Sequence, residues 1–299
     1  MNNNKTNINW YPGHMLKTKK QIIEDLKLID VVIELLDARI PVSSQNPDLR
    51  RITQNKKRIV LLNKSDLADD NETKKWKDYF ILQNIPCLII DANVGKGVKE
   101  ILKEVQTVLE EEIQKAESKG IQNKKIRLMI VGIPNVGKSS LINRLMNKKS
   151  QQVGNKPGIT KQKQWVRISN NIELLDTPGV LWPKFEGEKT AFNLSYIGSI
   201  KDEILPKEDI AYNLTKYLWN NYKNNIILRY KLTEEDIKSI MVQDEKSMED
   251  ETVRLMNLIA LKRGAIIRKG EVDYDKVSNI ILTDFRTAKI GKITIEKCK

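Results

Sequence analysis

The chain has little of what most often marks a chemical site. Its 299 residues include only two cysteines and one histidine. Cys87 and Cys298 form no metal-binding or redox spacing and point to a reducing compartment. No apolar run is long enough to cross a membrane, and the opening Met1 to Asn9 is polar, without a signal segment. A cytoplasmic protein that does not meet membranes is therefore expected. There is no repeat and no low-complexity tract. Acidic residues are outnumbered, 39 against 52 Lys and Arg, for a net charge of +13 and a pI near 9.4. That imbalance suggests a polyanionic partner. The length can bury a full core, and two domains is the natural expectation.

What the chain does have is a phosphate-binding signature in the right surroundings. Residues 126–131 read as a short buried strand. Gly132-Ile133-Pro134-Asn135-Val136-Gly137-Lys138-Ser139 follows at once, and Leu141, Ile142 and Leu145 then recur with helical spacing. Strand, G-x-x-x-x-G-K-S and helix is the context the motif needs. Gly132 and Gly137 permit backbone angles other residues resist, so several amides can converge on phosphate oxygens. The helix N-terminus adds positive potential. Asn135, Val136, Gly137, Lys138, Ser139 and Ser140 are expected around the phosphates. Lys138 would reach the β- and γ-phosphates, and Ser139 would bind Mg²⁺. A lysine in a glycine-rich turn is usually just solvated; the complete motif overrides that reading.

The phosphate loop does not separate GTP from ATP, whereas Asn63-Lys64-Ser65-Asp66 does. It follows the apolar strand 58–62, at the strand end where ligands bind in open α/β sheets. Asp66 can accept two hydrogen bonds from the guanine edge, and adenine lacks the matching donors. Asn63 would brace the loop, and the stem of Lys64 would cover the base plane. Alone the tetrapeptide is weak, because Asn, Lys and Asp are common in turns. Asp91-Ala92-Asn93, after the strand 86–90, is a third base-binding element, with an ordinary turn as the competing reading.

Two further loops lie downstream. Asp176-Thr177-Pro178-Gly179 ends the strand 172–175. Asp176 is expected to hold Mg²⁺ through a water, and the Gly179 amide to face the γ-phosphate. Thr160, in the turn-rich stretch 154–160, is the natural contact for Mg²⁺ and the γ-phosphate. Such contacts order a loop with GTP and release it after hydrolysis. In ordinary small G proteins the phosphate loop comes first and the base motif later. Here the order is reversed, which points to a circularly permuted GTPase, with residues 115–125 joining the two former termini.

Three more motifs narrow the reading: Trp10-Tyr11-Pro12-Gly13-His14-Met15, Asp37-Ala38-Arg39-Ile40-Pro41 and Leu181-Trp182-Pro183-Lys184. With them the chain resembles, over nearly its whole length, the circularly permuted GTPases of the YlqF/YawG type. The resemblance implies a bacterial factor for late assembly of the large ribosomal subunit. It implies GTP or GDP with Mg²⁺ as ligands, the subunit's RNA and proteins as partners, and a monomer.

One catalytic residue is missing. Ras-type enzymes position the attacking water with a Gln just after Asp-x-x-Gly. Here that place is Val180, and Ile133 in the phosphate loop is also apolar. On the residues alone, His14 is a histidine near a terminus or one touching RNA. The resemblance implies instead that it orients the water, presented by the Pro12-Gly13 turn. General acid–base help of that kind is worth about 10²–10⁴-fold. In many G proteins lacking the Gln, Asn135's position is associated with bound K⁺; K⁺ binding and plain loop packing both stay open.

The positive charge is unevenly spread. Residues 1–189 hold 33 Lys and Arg against 22 Asp and Glu, while residues 190–299 hold 19 against 17. Clusters occur at Lys17-Lys19-Lys20, Lys56-Lys57-Arg58, Lys124-Lys125-Arg127 and Lys148-Lys149 with Lys156, Lys161 and Lys163. Any single cluster is more simply a solvated face, but the sum favours docking of this half on RNA. From residue 190 the pattern is helical. Stripes run through Ile210, Leu214, Tyr217 and Leu218, through Val253, Met256 and Ile259-Ala260, and through Tyr274, Val277, Ile281 and Phe285. Thr233-Glu234-Glu235-Asp236 reads as a helix start and Gly264 as a stop. Lys262-Arg263, Arg268-Lys269 and Arg286-Lys289 are RNA-contact candidates.

The expected fold is α/β: a permuted P-loop GTPase domain over 1–185, mostly parallel with helices on both faces, then a small all-α, RNA-contacting domain over 190–299. The expected activity is subunit-stimulated hydrolysis of GTP to GDP and phosphate. The competing readings are a GTP-gated RNA-binding switch with negligible hydrolysis, and a related permuted GTPase acting on another RNA.

Overall fold

The computed structural model describes residues 20–146, 165–175, 177, 187–200, 205–241 and 250–298. The chain divides into two compact units, Met1–Phe185 with Thr294–Lys299, and Glu186–Ile293. The expected second domain therefore loses its end: residues 294–298 pack with the first unit. The reason is local, because Thr294 to Glu296 find amide, carbonyl and indole partners there.

The first unit is built on six strands: β1 (Val31–Asp37), β2 (Lys57–Asn63), β3 (Cys87–Ile89), β4 (Ile126–Val131), β5 (Trp165–Arg167) and β6 (Ile172–Leu175). They lie in the order β3-β2-β1-β4-β6-β5, all parallel except β5. All seven residues of β1 are buried. A strand covered on both faces needs this near-continuous apolar run, as parallel sheets with helices on both sides require. The helices are α1 (Pro47–Thr53), α2 (Asp70–Leu82), α3 (Val98–Val108), α4 (Glu110–Glu117) and α5 (Lys138–Leu145). Asn46 caps α1 and Asp69 caps α2, each accepting two backbone amides. Val32, Met129, Val131 and Leu175 pack with Ile22, Leu26 and Leu49, while Leu36, Val60 and Leu62 pack with Trp76, Phe80 and Cys87. Each such side chain contributes about 1.5–3 kcal/mol of burial.

The topology explains why a permuted order can make the same site. The chain runs outward from β1 through β2 to β3, then returns to β4 on the other side of β1 and runs outward again. Strand order reverses between β1 and β4, and ligands in open α/β sheets bind at the strand C-termini beside such a reversal. The ends meeting there are Asp37 and Asn63, which are register partners, and the phosphate loop after Val131. The joining segment is helical as far as Glu117, so the expected connector at 115–125 is helix in its first part.

The second unit is helical: α6 (Glu188–Tyr196), α7 (Lys207–Asn221), α8 (Lys223–Tyr230), α9 (Glu234–Met241), α10 (Glu251–Arg263) and α11 (Tyr274–Arg286). Ile210, Leu214, Leu218, Met256, Ile259, Ala260, Val277, Ile281 and Phe285 are buried, while Tyr217 and Val253 are half-buried and Tyr274 is exposed. At the start of α9 the Thr233 hydroxyl accepts the Asp236 amide, and the Asp236 carboxylate accepts the Thr233 amide. Gly264, at φ 66°, ends α10. No helix among the described residues is long and apolar enough to cross a membrane.

Candidate nucleotide site

One side chain ties three of the motifs together. Asn63 closes β2 and is 2% exposed. Its Nδ2 donates to the Val136 carbonyl in the phosphate loop at 2.8 Å, and its Oδ1 accepts the Ala92 amide at 3.0 Å. The N-K-x-D loop, the Asp91-Ala92-Asn93 loop and the phosphate loop are thus one constellation. The same packing explains Gly137. It holds φ 104°, and a Cβ there would fall 2.3 Å from Asn63 Nδ2. At Gly132 a Cβ would stand 2.7 Å from the Leu35 carbonyl.

At the base end, Lys64 adopts φ 59°, and its Nζ lies 3.2 Å from Asp37 Oδ2. Asp37 is fully buried and also receives Arg39 through Nε at 2.9 Å, Nη2 at 2.8 Å and the backbone amide at 3.1 Å. Burial alone would raise this carboxyl. The Arg39 and Lys64 charges, with Arg39's hydrogen bonds, outweigh burial and hold it well below the usual carboxylate range. Asp66 moves the other way. Partial desolvation, then the negative charge of Asp91, push it up, although its side chain is largely exposed.

Asp91 is 3% exposed and closes a turn, its Oδ1 accepting the Asn93 and Val94 amides at 2.8 and 3.3 Å. The element is a turn capped by Asp91, with Ala92 held by Asn63, and its part in base binding belongs to the proposed site. Arg144, on α5, donates to the Asn93 carbonyl and packs on Gly95. It ties the phosphate-loop helix to the base side. Sequence reasoning missed it, because an arginine on a helix carries no mark of what it reaches across space.

At the phosphate end, Lys138 is 9% exposed, and its Nζ donates to the Gly132 and Ile133 carbonyls at 2.9 and 2.8 Å. The loop is folded around its ammonium group. Asn135 is exposed at φ 58°. Helix α5 begins after Gly137 with no side-chain cap, which leaves its first-turn amides to other acceptors. Ser139 is exposed and Ser140 half-buried on that first turn. Thr177, beside β6, donates its hydroxyl to the Ile130 carbonyl, which anchors this residue to β4. His14, Thr160, Asp176 and Gly179 lie outside the described residues, as do Val180, Lys161 and Lys163. No cluster of three or more His, Cys, Asp or Glu suited to a metal occurs among the described residues.

Two of the basic clusters are engaged within the protein. Lys56 donates to the Ile29 carbonyl, Lys57 pairs with Glu112 at 2.7 Å, and Arg58 with Glu34 at 3.2 Å. Lys124 pairs with Asp30, and Lys125 and Arg127 with Glu173. In the helical unit Arg286 donates to the Tyr196 and Ser195 carbonyls at 2.9 and 2.7 Å, and Lys262 pairs with Asp236. These contacts weaken Arg286 and Lys262 as RNA candidates.

The chain is similar to known proteins over nearly its whole length. Residues 127–259 match the family model described as "50S ribosome-binding GTPase". Ribosome biogenesis GTPase A of Priestia megaterium is 46% identical over 290 residues, covering 97% of this chain and 96% of that protein. The Thermotoga maritima protein of the same name is 31% identical over 292 residues, covering 97% and 94%. Among solved structures, GDP-bound YlqF of T. maritima aligns over 93% of this chain and 98% of its own, with a TM-score of 0.65 and 25% identity. The GNP-bound form aligns with a TM-score of 0.63. The chain belongs to the ribosome biogenesis GTPase A family of circularly permuted GTPases.

Proposed function

We propose that this GTPase acts late in assembly of the large ribosomal subunit, binding GTP at the constellation around Asn63 and hydrolysing it when the subunit stimulates it. The observation that carries the reading is Asn63's pair of hydrogen bonds, donated to the Val136 carbonyl and accepted from the Ala92 amide, which joins the base and phosphate motifs. Asp66 reads the guanine edge, and Lys64 lies along the base. The α5 amides and Lys138 hold the phosphates, Lys138 exchanging its two carbonyl partners for phosphate oxygens.

Ser139 fits a Mg²⁺ ligand, since its exposed hydroxyl stands on the uncapped first turn of α5 and offers hard oxygen. Thr160 and Asp176 would complete the protein's share. Mg²⁺, when bound, neutralises charge on the β- and γ-phosphate oxygens. His14 orients the attacking water, in place of the Gln that Val180 replaces. Gly179 donates its amide to the γ-phosphate, and Asn135 holds K⁺. The excess positive charge of residues 1–189 favours an RNA partner, and the helical unit supplies the rest of the ribosome contact. A cytoplasmic monomer is the form proposed.

The test is GTP turnover in K⁺ buffer while purified large subunits are titrated in, with small subunits as control. Stimulation by large subunits alone is expected. Stimulation by neither would favour a GTP-gated RNA-binding switch or another RNA, for which Val180 is the supporting observation.

A further inference from the structure

Residues 294–298 return from the helical unit and are stitched into the loop that follows β1. The Ile295 and Glu296 amides donate to the Arg39 carbonyl at 2.9 and 3.3 Å. The Glu296 carboxylate accepts the Val42 amide at 2.6 Å, the Ser43 amide at 3.0 Å and the Ser43 hydroxyl. Its carbonyl accepts the Trp76 indole at 2.7 Å. Thr294 accepts the Asp69 amide at 3.1 Å, three residues after Asp66. Glu296 is 9% exposed and Thr294 is fully buried.

A buried carboxylate gathering backbone amides is a strong, directional tie. Here the Val42 and Ser43 groups it gathers lie on the loop that carries Arg39. Arg39 in turn grips Asp37, and Asp37 is the partner of Lys64. The segment therefore reaches the base end of the site by two routes, through Arg39 and through Asp69.

We propose that Glu296 is a positioning residue for the base end of the nucleotide site: by fixing the 39–43 loop it holds Arg39, Asp37 and Lys64 in register, and so sets how long guanine nucleotide is retained. This rests on the reading that Lys64 and Asp66 form the base site. Glu296 acts through the loop, so its loss changes binding of substrate and transition state alike.

The test follows release of ribose-labelled fluorescent GDP from the full chain, beside steady-state turnover. Glu296→Ala is expected to speed release roughly tenfold and to raise the KM for GTP by a similar factor, with kcat within about twofold. In a Lys64→Ala background, adding Glu296→Ala should change release by less than about twofold, because the two act on one chain of contacts. Ser43→Ala removes the hydroxyl bond to Glu296 and should speed release roughly two- to threefold; it carries the test if Glu296→Ala does not fold. Unchanged release in the folded variants, or a full tenfold effect persisting in Lys64→Ala, overturns the proposal. Asp66→Ala is run in parallel. If it abolishes GDP binding while Glu296→Ala changes nothing, only this inference falls. If Asp66→Ala binds GDP normally, the base site lies elsewhere and both readings fall.

Discussion

The two ends of the proposed nucleotide site are built on different principles. The base end is braced by contacts within the protein. Asp37, Arg39 and Lys64 form a buried charge network, Asn63 spans two loops, and Arg144 and Glu296 secure the margins. At the phosphate end the contacts are fewer: Lys138 donates to its own loop carbonyls, and the first turn of α5 has no side-chain cap. The difference follows from the task. Discrimination between purine bases needs fixed acceptors and donors, since a mispaired buried group is costly only if it cannot relax. Phosphate charge changes during turnover, so its partners must release as well as bind.

Substitutions can break this contrast. The largest effect is expected at Asp66. Asp66→Ala should weaken GDP binding by roughly 10³-fold and erase the preference over adenine nucleotides, measured by competition titration. Retained guanine preference would place base recognition elsewhere. Next is Lys138→Ala, which should lower GTP turnover roughly 10²-fold and leave guanine-over-adenine selectivity intact, since it removes a phosphate donor alone. A loss of selectivity would show that the two ends are not separable.

Asp37→Asn leaves Arg39 and Lys64 without their buried counter-charge and should destabilise the fold by about 3–5 kcal/mol at pH 7, read by urea unfolding. Folding lowers this carboxyl below its unfolded value of about 3.9, so its stabilisation is complete at neutral pH and fades as pH falls below that value. The gap between parent and variant should accordingly narrow in acid. A gap that widened there would mean that Asp37 is not the charged member of the network. Smallest is Arg144→Ala. This exposed side chain reaches one carbonyl, so GDP affinity should fall by only about twofold.

Legibility in the sequence follows the same contrast. The phosphate loop was readable because its function is local: strand, glycines, lysine and helix are contiguous, and the backbone itself does the binding. β2, β4 and β6 were visible as apolar runs, and the stripes of the helical unit as a 3.6-residue period. The base network was not readable. Asp37 and Arg39 appeared only as part of a family signature, because nothing near them reveals that a lysine 27 residues away would reach the same carboxylate. β5, a three-residue antiparallel edge strand, is too short for a pattern. The basic clusters at 56–58 and 124–127 looked free in sequence and are largely engaged by Glu112, Glu34, Asp30 and Glu173.

The sequence by itself determined the chemistry class, because phosphate and guanine recognition rest on short segments whose residue types are dictated by backbone angles and hydrogen-bond inventory. It also determined that the motif order is permuted, since that is a matter of linear position alone. Only the tertiary structure decided how the motifs join. Asn63 bridges loops that are 29 and 73 residues away, Asp37 meets Lys64 across adjacent strands, and Glu296 meets Val42 and Ser43 from more than 250 residues away. Such contacts depend on strand order and register, which arise from burial of the whole sheet rather than from any local run of residues.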